Sequence, residues 1–91
     1  MDKYIKEYTS FKETYKDEVL LFRRGERYET YCLDAVLCNQ VLDTVTACEV
    51  KDKYIITWFP HYELNKNLTK LVRAGNKVIV IEALEKPAKN N

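Results

Sequence analysis

Apolar and polar positions recur with two different periods along the 91-residue chain, and the two periods separate predicted helices from predicted strands. Apolar side chains lie three or four positions apart in segments 2–16, 34–42 and 62–74, which is the spacing of an amphipathic helix. The other apolar segments are short and rich in β-branched and aromatic residues, which is typical of strands: 19–23, 27–32, 45–50, 54–59 and 77–82. The predicted order is α-β-β-α-β-β-α-β, and the predicted fold class is α/β, an α+β mixed sheet flanked by helices.

The first predicted helix carries a stripe of aromatic residues. Tyr4, Tyr8, Phe11 and Tyr15 lie at positions i, i+4, i+7 and i+11, while lysines and glutamates occupy the opposite face. We expect this stripe to pack on the sheet rather than to form a binding surface, because an apolar stripe at helical spacing usually faces the core.

Two glycines and one aspartate predict local backbone features. Gly25 lies between two predicted strands and Gly75 follows the third helix, so we expect a positive φ angle at both. Asp34 is a candidate N-cap of the second helix. Segments 45–50 and 54–59 flank a short polar turn, which predicts a hairpin.

The last strand and the helix before it are expected to contribute to the core. Residues 78–81 are four consecutive apolar residues, so we expect this strand to be buried on both faces and central in the sheet. The expected inward face of the third helix has four members: Leu64, Leu68, Leu71 and Val72.

Composition and charge limit the classes of function. The length suits one domain, which we place at residues 1–85, with 86–91 as a tail or the start of a linker. The formal net charge is +1, so attraction to phosphate would have to come from local clustering. The three cysteines match neither a disulfide framework nor a metal site, and no apolar run approaches the roughly 20 residues of a membrane span. We therefore expect a cytoplasmic chain with no membrane partner.

The turn around Gly25 concentrates the candidate binding chemistry. Three arginines lie within five positions of one another, and Arg27 and Glu29 should face the same side of a strand because side chains alternate with a period of two. The candidate contact residues are Arg23, Arg24, Arg27, Tyr28 and Glu29.

Catalytic motifs are few. There is no phosphate-binding glycine loop, His61 is the only histidine, and Ser10 is the only serine. Carboxylates at Glu26, Glu29 and Asp34 leave a metal-dependent nuclease open as a minor alternative. We expect no enzyme activity in this chain and no cofactor.

Five motifs in a fixed order resemble the N-terminal mismatch-recognition domain, domain I, of the MutS family of DNA mismatch-repair proteins. The family pattern L-L-F-x-x-x-G-D-F-Y-E-x-F is similar to residues 20–31. The other motifs are a helix that begins Asp34-Ala35, the segment 59–62, the helix pattern L-x-x-L-V-x-x-G at residues 68–75, and a final strand at 78–82. The resemblance covers residues 1–85 and implies a mixed sheet flanked by helices.

The resemblance also implies how the domain would contact DNA, and this sequence departs from the family pattern at one of the contact positions. In the family, the Phe of an F-x-E motif stacks on a mispaired base and the Glu accepts a hydrogen bond from that base. Glu29 occupies the Glu position, but Arg27 stands where the Phe should be. The family's P-Y-H segment has its last two residues exchanged here, as Pro60-His61-Tyr62.

Two readings of the function follow from this departure. The first is a DNA-binding module for duplex DNA, including distorted or mismatched duplexes, that works without a Phe wedge. The alternative is a protein-interaction or structural domain that kept the fold and lost DNA recognition. In either reading, other domains of a longer protein are candidate partners.

Overall fold

The computed structural model describes residues 3–42, 47–51 and 53–82, with the backbone alone for 47–51. Three α-helices, one short 3-10 helix and five strands follow in this order: α1 Lys3–Thr14, β1 Val19–Arg24, β2 Arg27–Tyr31, α2 Cys32–Val41, β3 Ala47–Lys51, β4 Tyr54–Pro60, the 3-10 turn His61–Glu63, α3 Leu64–Arg73 and β5 Val78–Ile81. The predicted element order and fold class are confirmed. Residues 83–91 lie outside the described part, so the proposed boundary at residue 85 stays a prediction.

The five strands form one mixed sheet in the order β3-β4-β2-β1-β5. Neighbouring strands are antiparallel except for β1 and β5, which are parallel. The predicted hairpin of β3 and β4 is confirmed. The chain reaches β5 through α3, and a crossover helix is the usual way to place two strands parallel.

The expected central position of β5 is wrong. In the described part of the chain β5 pairs with β1 alone, so it lies at the edge of the sheet. Its two faces are nevertheless covered, because Ile79 and Ile81 pack on the α1 side and Val78 and Val80 pack on the opposite side. An uninterrupted apolar run therefore indicates that both faces of a strand are covered. It does not indicate that the strand has a neighbouring strand on each side.

Helix α1 covers one face of the sheet with its aromatic stripe, as predicted. The core on this side, called the α1-side core below, contains five buried residues: Ile5, Tyr8, Leu20, Phe22 and Tyr31. The Tyr8 ring meets the Tyr31 ring edge-on at 5.7 Å between centroids. Tyr4, at the helix start, is 38% exposed, and the guanidinium carbon of Arg24 lies 3.9 Å from the centroid of its ring.

Helices α2 and α3 cover the other face. The core there includes Leu21, Tyr28, Cys38, Phe59 and Leu71, all buried. The expected inward face of α3 is partly wrong, because Val72 is 58% exposed while Asn67 is fully buried. The buried stripe runs along positions 64, 67 and 71, which are spaced three and four apart, and Val72 lies one position beyond it.

The start of α2 also differs from the prediction. Strand β2 continues directly into the helix at Cys32, whose φ is +57°, so Asp34 lies inside the first turn and is not the N-cap. Its carboxylate accepts hydrogen bonds from the Leu20 backbone N–H at 3.2 Å and from Lys12 Nζ at 3.1 Å. Asp34 thus joins α2 to β1 and α1.

Candidate functional site

The hairpin of β1 and β2 presents the candidate contact residues. Arg24 pairs with Arg27, which leaves Gly25 and Glu26 as a two-residue turn. Gly25 has φ +65°, as predicted, while Glu26 has no positive φ, which is the type II′ pattern that matches the twist of the strands. The backbone N–H of His61 donates to the carbonyl oxygen of Glu26 at 2.9 Å, so the turn is fixed to the segment after β4.

The five predicted contact residues divide between the two faces of the sheet. Arg24, Arg27 and Glu29 lie on the α1 side, where their partners are Glu7, Tyr31 and Trp58. Arg23 and Tyr28 lie together on the opposite side. The site residues therefore form two groups and not a single surface.

Arg27 and Glu29 lie side by side, as the period of two predicted. Arg27 Nη2 is 2.6 Å and Arg27 Nε is 2.8 Å from Glu29 Oε2. The guanidinium carbon of Arg27 also lies 4.5 Å from the centroid of the Trp58 ring. Trp58 is brought there by register, because it pairs directly with Glu29 across β2 and β4.

A chain of polar contacts continues from Glu29 to helix α1. Glu29 is 94% buried by residue area, with 6% exposed, and its Oε1 accepts a hydrogen bond from the Tyr31 hydroxyl at 2.8 Å. The Tyr31 oxygen accepts from Arg24 Nε at 3.1 Å, and Arg24 Nη2 donates to Glu7 Oε1 at 2.8 Å. We call these five residues, Arg27, Glu29, Tyr31, Arg24 and Glu7, the α1-side network.

Protonation of Tyr31 is part of this network. Burial raises the pKa of the Tyr31 phenol well above its ordinary value, Arg24 opposes the rise, and the Glu29 carboxylate adds to it. The phenol therefore keeps its proton at neutral pH and remains a donor to Glu29. Both carboxylate oxygens of Glu29 are engaged in the free protein.

The opposite face holds the remaining two predicted residues. Tyr28 is 3% exposed, and its hydroxyl donates to Glu82 Oε2 at 2.7 Å. Arg23 lies over the Tyr28 ring at 5.5 Å and places Nη1 3.8 Å from Glu82 Oε1. Burial, with the hydrogen bond to Glu82, raises the pKa of Tyr28. Tyr28 is therefore mainly a core residue.

Each arginine of the hairpin has a carboxylate partner. Arg23 pairs with Glu82, Arg24 with Glu7 and Arg27 with Glu29. The arginine side chains are 29%, 16% and 40% exposed, in that order, so Arg27 is the most accessible of the three. The hairpin is thus a paired array of charges and not a strongly positive patch.

Three residues of the site were missed by sequence reasoning. Tyr31 lies at the end of β2 itself, whereas Trp58 comes from β4 and Glu7 from α1, so that only the strand register and the position of α1 bring these two residues to the hairpin. Trp58 carried one usable signal, since it lies in a predicted strand next to the Pro60 motif. Tyr31 carried another, since it lies two residues after Glu29 on the same predicted strand, and Glu7 carried none.

Neither a metal site nor a membrane span occurs in the part of the chain that the structure describes. No group of three or more His, Cys, Asp or Glu side chains there could hold a metal ion. No helix within those residues is long and apolar enough to cross a membrane. The carboxylates of the nuclease alternative are in different settings, with Glu26 exposed, Glu29 paired with Arg27, and Asp34 paired with Lys12.

Comparison with protein families and curated proteins relates this geometry to known sequences. The sequence model of the family described as MutS domain I matches residues 2–91. The DNA mismatch repair protein MutS of Thermotoga petrophila is 37% identical over 86 residues, covering 94% of this chain and 11% of that protein. The DNA mismatch repair protein MutS of Bacteroides thetaiotaomicron is 40% identical over 86 residues, covering 91% of this chain and 10% of that protein.

The mixed five-stranded sheet, its flanking helices and the hairpin at its end define a small α/β domain of the architecture that the resemblance implied. The chain belongs to the MutS domain I family. It spans about a tenth of the length of the curated relatives that it matches.

Proposed function

We propose that this chain is a DNA-binding module of the mismatch-recognition type that contacts duplex DNA through the β1–β2 hairpin without a Phe wedge. The family supports this proposal, because its curated relatives are named DNA mismatch repair proteins. The observation that carries it is the pair at the two F-x-E positions, where Arg27 and Glu29 lie in direct contact at the end of the sheet.

Arg27 is the residue proposed to meet the DNA first. A guanidinium has five N–H donors, and Arg27 directs Nε and Nη2 at Glu29. The other donors have no hydrogen-bond partner among the described residues, so they can contact a phosphate or enter a narrow minor groove, as arginine does elsewhere. Arg27 is also the most exposed arginine of the hairpin, at 40% of its side chain.

Loss of the Phe changes the kind of recognition that is expected. A wedge that unstacks a base step is apolar and uncharged, and a hydrated guanidinium paired with Glu29 does not meet that description. We therefore expect binding with little preference for a mismatch over a homoduplex.

The charge pairing of the hairpin sets the expected strength of binding. A phosphate must compete with the carboxylate that each arginine already contacts, so we expect Kd values on the order of 10⁻⁴ to 10⁻⁶ M, the range of non-specific DNA binding. The slope of log K against log salt should be no steeper than about −3, because each neutralised phosphate contributes roughly −0.9 and the hairpin offers three arginines.

The proposal is tested by fluorescence anisotropy with a labelled homoduplex and a duplex with one mismatch, at low and at physiological salt. The wild-type chain should bind both duplexes alike. Arg27→Phe should gain a preference for the mismatch, and Arg27→Ala should weaken binding to both. Arg73→Ala, which removes an exposed arginine from the end of α3, is the matched control and should leave binding unchanged.

A protein-interaction or structural domain is the second candidate, and the same charge pairing favours it. All three arginines of the hairpin are already neutralised by carboxylates, which is the arrangement expected if the hairpin serves the fold. This candidate predicts no binding to any duplex at low salt. It also predicts that Arg27→Ala and Glu29→Ala leave the DNA affinity of a longer parent protein unchanged.

A further inference from the structure

Trp58 lies beside Arg27, the residue that occupies the Phe position of the family pattern, although the two residues belong to different strands. Its Cα pairs with that of Glu29, and residues paired across antiparallel strands project to the same face of a sheet. Arg27 pairs with Pro60, so Arg27 and Trp58 are diagonal neighbours on that face. The position that carries Phe in the family thus has no ring, while a ring from the adjacent strand lies beside it.

Arg27 covers this ring in the free protein. Its guanidinium carbon lies 4.5 Å from the centroid of the indole, within the range of a cation–π contact. Trp58 remains partly exposed, and its Nε1–H is buried without a hydrogen-bond acceptor among the described residues. The cover is a side chain that is itself 40% exposed, and exposed cation–π contacts are weak enough to be exchanged for a phosphate contact.

We propose that Trp58 is the base-stacking residue of this module, and that Arg27 opens the indole face when it turns toward a phosphate. The inference rests on the proposed DNA-binding function and adds the residue and the ligand group that it would recognise. The ligand group is the flat face of a nucleobase that has already left the helical stack. Stacking on an indole suits any base, because every base has a π face.

The expected substrate is a duplex with an extrahelical base. A homoduplex keeps all bases stacked, and a module without a Phe wedge does not open it. A one-base bulge offers a base at no unstacking cost, so we expect the chain to bind the bulge about tenfold more tightly than the homoduplex, the order of magnitude of one base–aromatic stack. A single-stranded oligonucleotide also presents unstacked bases, so it is a second source of the same ligand group.

Trp58 is the only tryptophan of the chain, so its emission reports this one side chain. The full chain is titrated with a homoduplex, a one-base bulge and a single-stranded oligonucleotide, while anisotropy of a dye on each DNA measures binding independently. We expect the bulge to quench Trp58 emission and the homoduplex to bind without quenching. If the single-stranded oligonucleotide quenches Trp58 emission as strongly as the bulge does at the same degree of saturation, the site recognises unpaired bases in general.

Substitutions separate stacking from a structural role. Trp58→Leu should lose about tenfold in affinity for the bulge and keep its affinity for the homoduplex, and Trp58→Phe should recover most of the loss. Tyr62→Leu is the matched control, because Tyr62 is a 77% exposed aromatic in the segment that follows β4, and it should change neither affinity. Arg27→Ala should make Trp58 more accessible to acrylamide even without DNA.

The outcomes distinguish this inference from the function on which it rests. If all DNAs bind by anisotropy but Trp58 emission does not change and Trp58→Leu binds the bulge like the wild type, the stacking role is overturned and the binding function stands. If no DNA binds at low salt, both are overturned. If Trp58→Leu does not fold by circular dichroism, quenching in the wild-type chain and the affinity of Trp58→Phe decide the question.

Discussion

Glu29 is the residue on which the hairpin's polar contacts converge. It is almost fully buried, and a buried carboxylate is tolerated only when its oxygens are hydrogen-bonded or paired with a charge. Arg27 satisfies one oxygen and the Tyr31 hydroxyl satisfies the other. The same two contacts that make burial possible also fix the orientation of the carboxylate.

Replacement of Glu29 by glutamine should therefore destabilise the fold. The amide keeps the shape but removes the charge that Arg27 and Tyr31 face, so we expect the free energy of unfolding to fall by about 1–3 kcal/mol. Urea denaturation followed by circular dichroism measures the change. Glu26→Gln, an exposed carboxylate in the same turn, should stay within about 0.5 kcal/mol of the wild type. Equal stability of the two variants would contradict a structural role for Glu29.

At the scale of elements, the end of α3 shows how one residue can stop a helix. Gly75 has φ +94°, its N–H donates to the Val72 carbonyl at 2.9 Å, and the Asn76 N–H donates to the Leu71 carbonyl at 3.0 Å. This pair of bonds is the Schellman motif, in which the residue after the C-cap is left-handed. The motif turns the chain from α3 into β5 and so places β5 beside β1.

Gly75→Ala should reduce stability through the backbone alone. A Cβ added at Gly75 would meet no atom within 4 Å, so the cost comes from the left-handed φ, at about 1–2 kcal/mol. Gly75→Asn should cost less, because asparagine adopts this conformation more readily than alanine. Thermal unfolding of the two variants compares the costs. An alanine variant as stable as the asparagine variant would argue against a backbone origin.

The whole molecule is a sheet between helices, with protonated groups buried on both of its faces. Burial, with the negative charge of Asp34, raises the pKa of the Cys38 thiol to about 12 from an ordinary value of 9.0. Burial also raises the pKa values of Tyr8 and Tyr31 on the α1 side above 10.0. The folded chain therefore holds these protons at a pH where the unfolded chain releases them.

Stability should fall at alkaline pH for this reason. Where the folded state binds more protons than the unfolded state, the free energy of unfolding decreases as pH rises. It should be level up to about pH 8, begin to fall as the unfolded thiol titrates, and fall more steeply near pH 10 as unfolded tyrosines titrate. Urea midpoints from pH 7 to 10.5 test this expectation. Cys38→Ala should reduce the first part of the decline, and the raised pKa of Cys32 accounts for the remainder. A native thiolate absorbance near pH 9 that is lost in Cys38→Ala would refute the expectation.

Local patterns in the sequence determined a large part of this fold. Apolar periodicity predicted the three α-helices, and short segments rich in apolar and β-branched residues predicted the five strands, because both patterns reflect local preferences of the backbone. Gly25 and Gly75 predicted two of the left-handed positions for a similarly local reason, whereas those at Cys32 and Lys53 were not predicted. The contact of Arg27 with Glu29 was predictable too, since two residues separated by one residue on a strand share a face.

The tertiary structure decided what depends on residues distant in sequence. The edge position of β5, the burial of Asn67 in place of Val72, and the seat of Asp34 inside α2 all follow from packing that no local period encodes. The partners of Arg23 and Arg24 follow from the placement of β5 and of α1 beside the hairpin. Periodicity alone names the face on which a side chain lies, and only the assembled sheet and helices determine which residue lies opposite it.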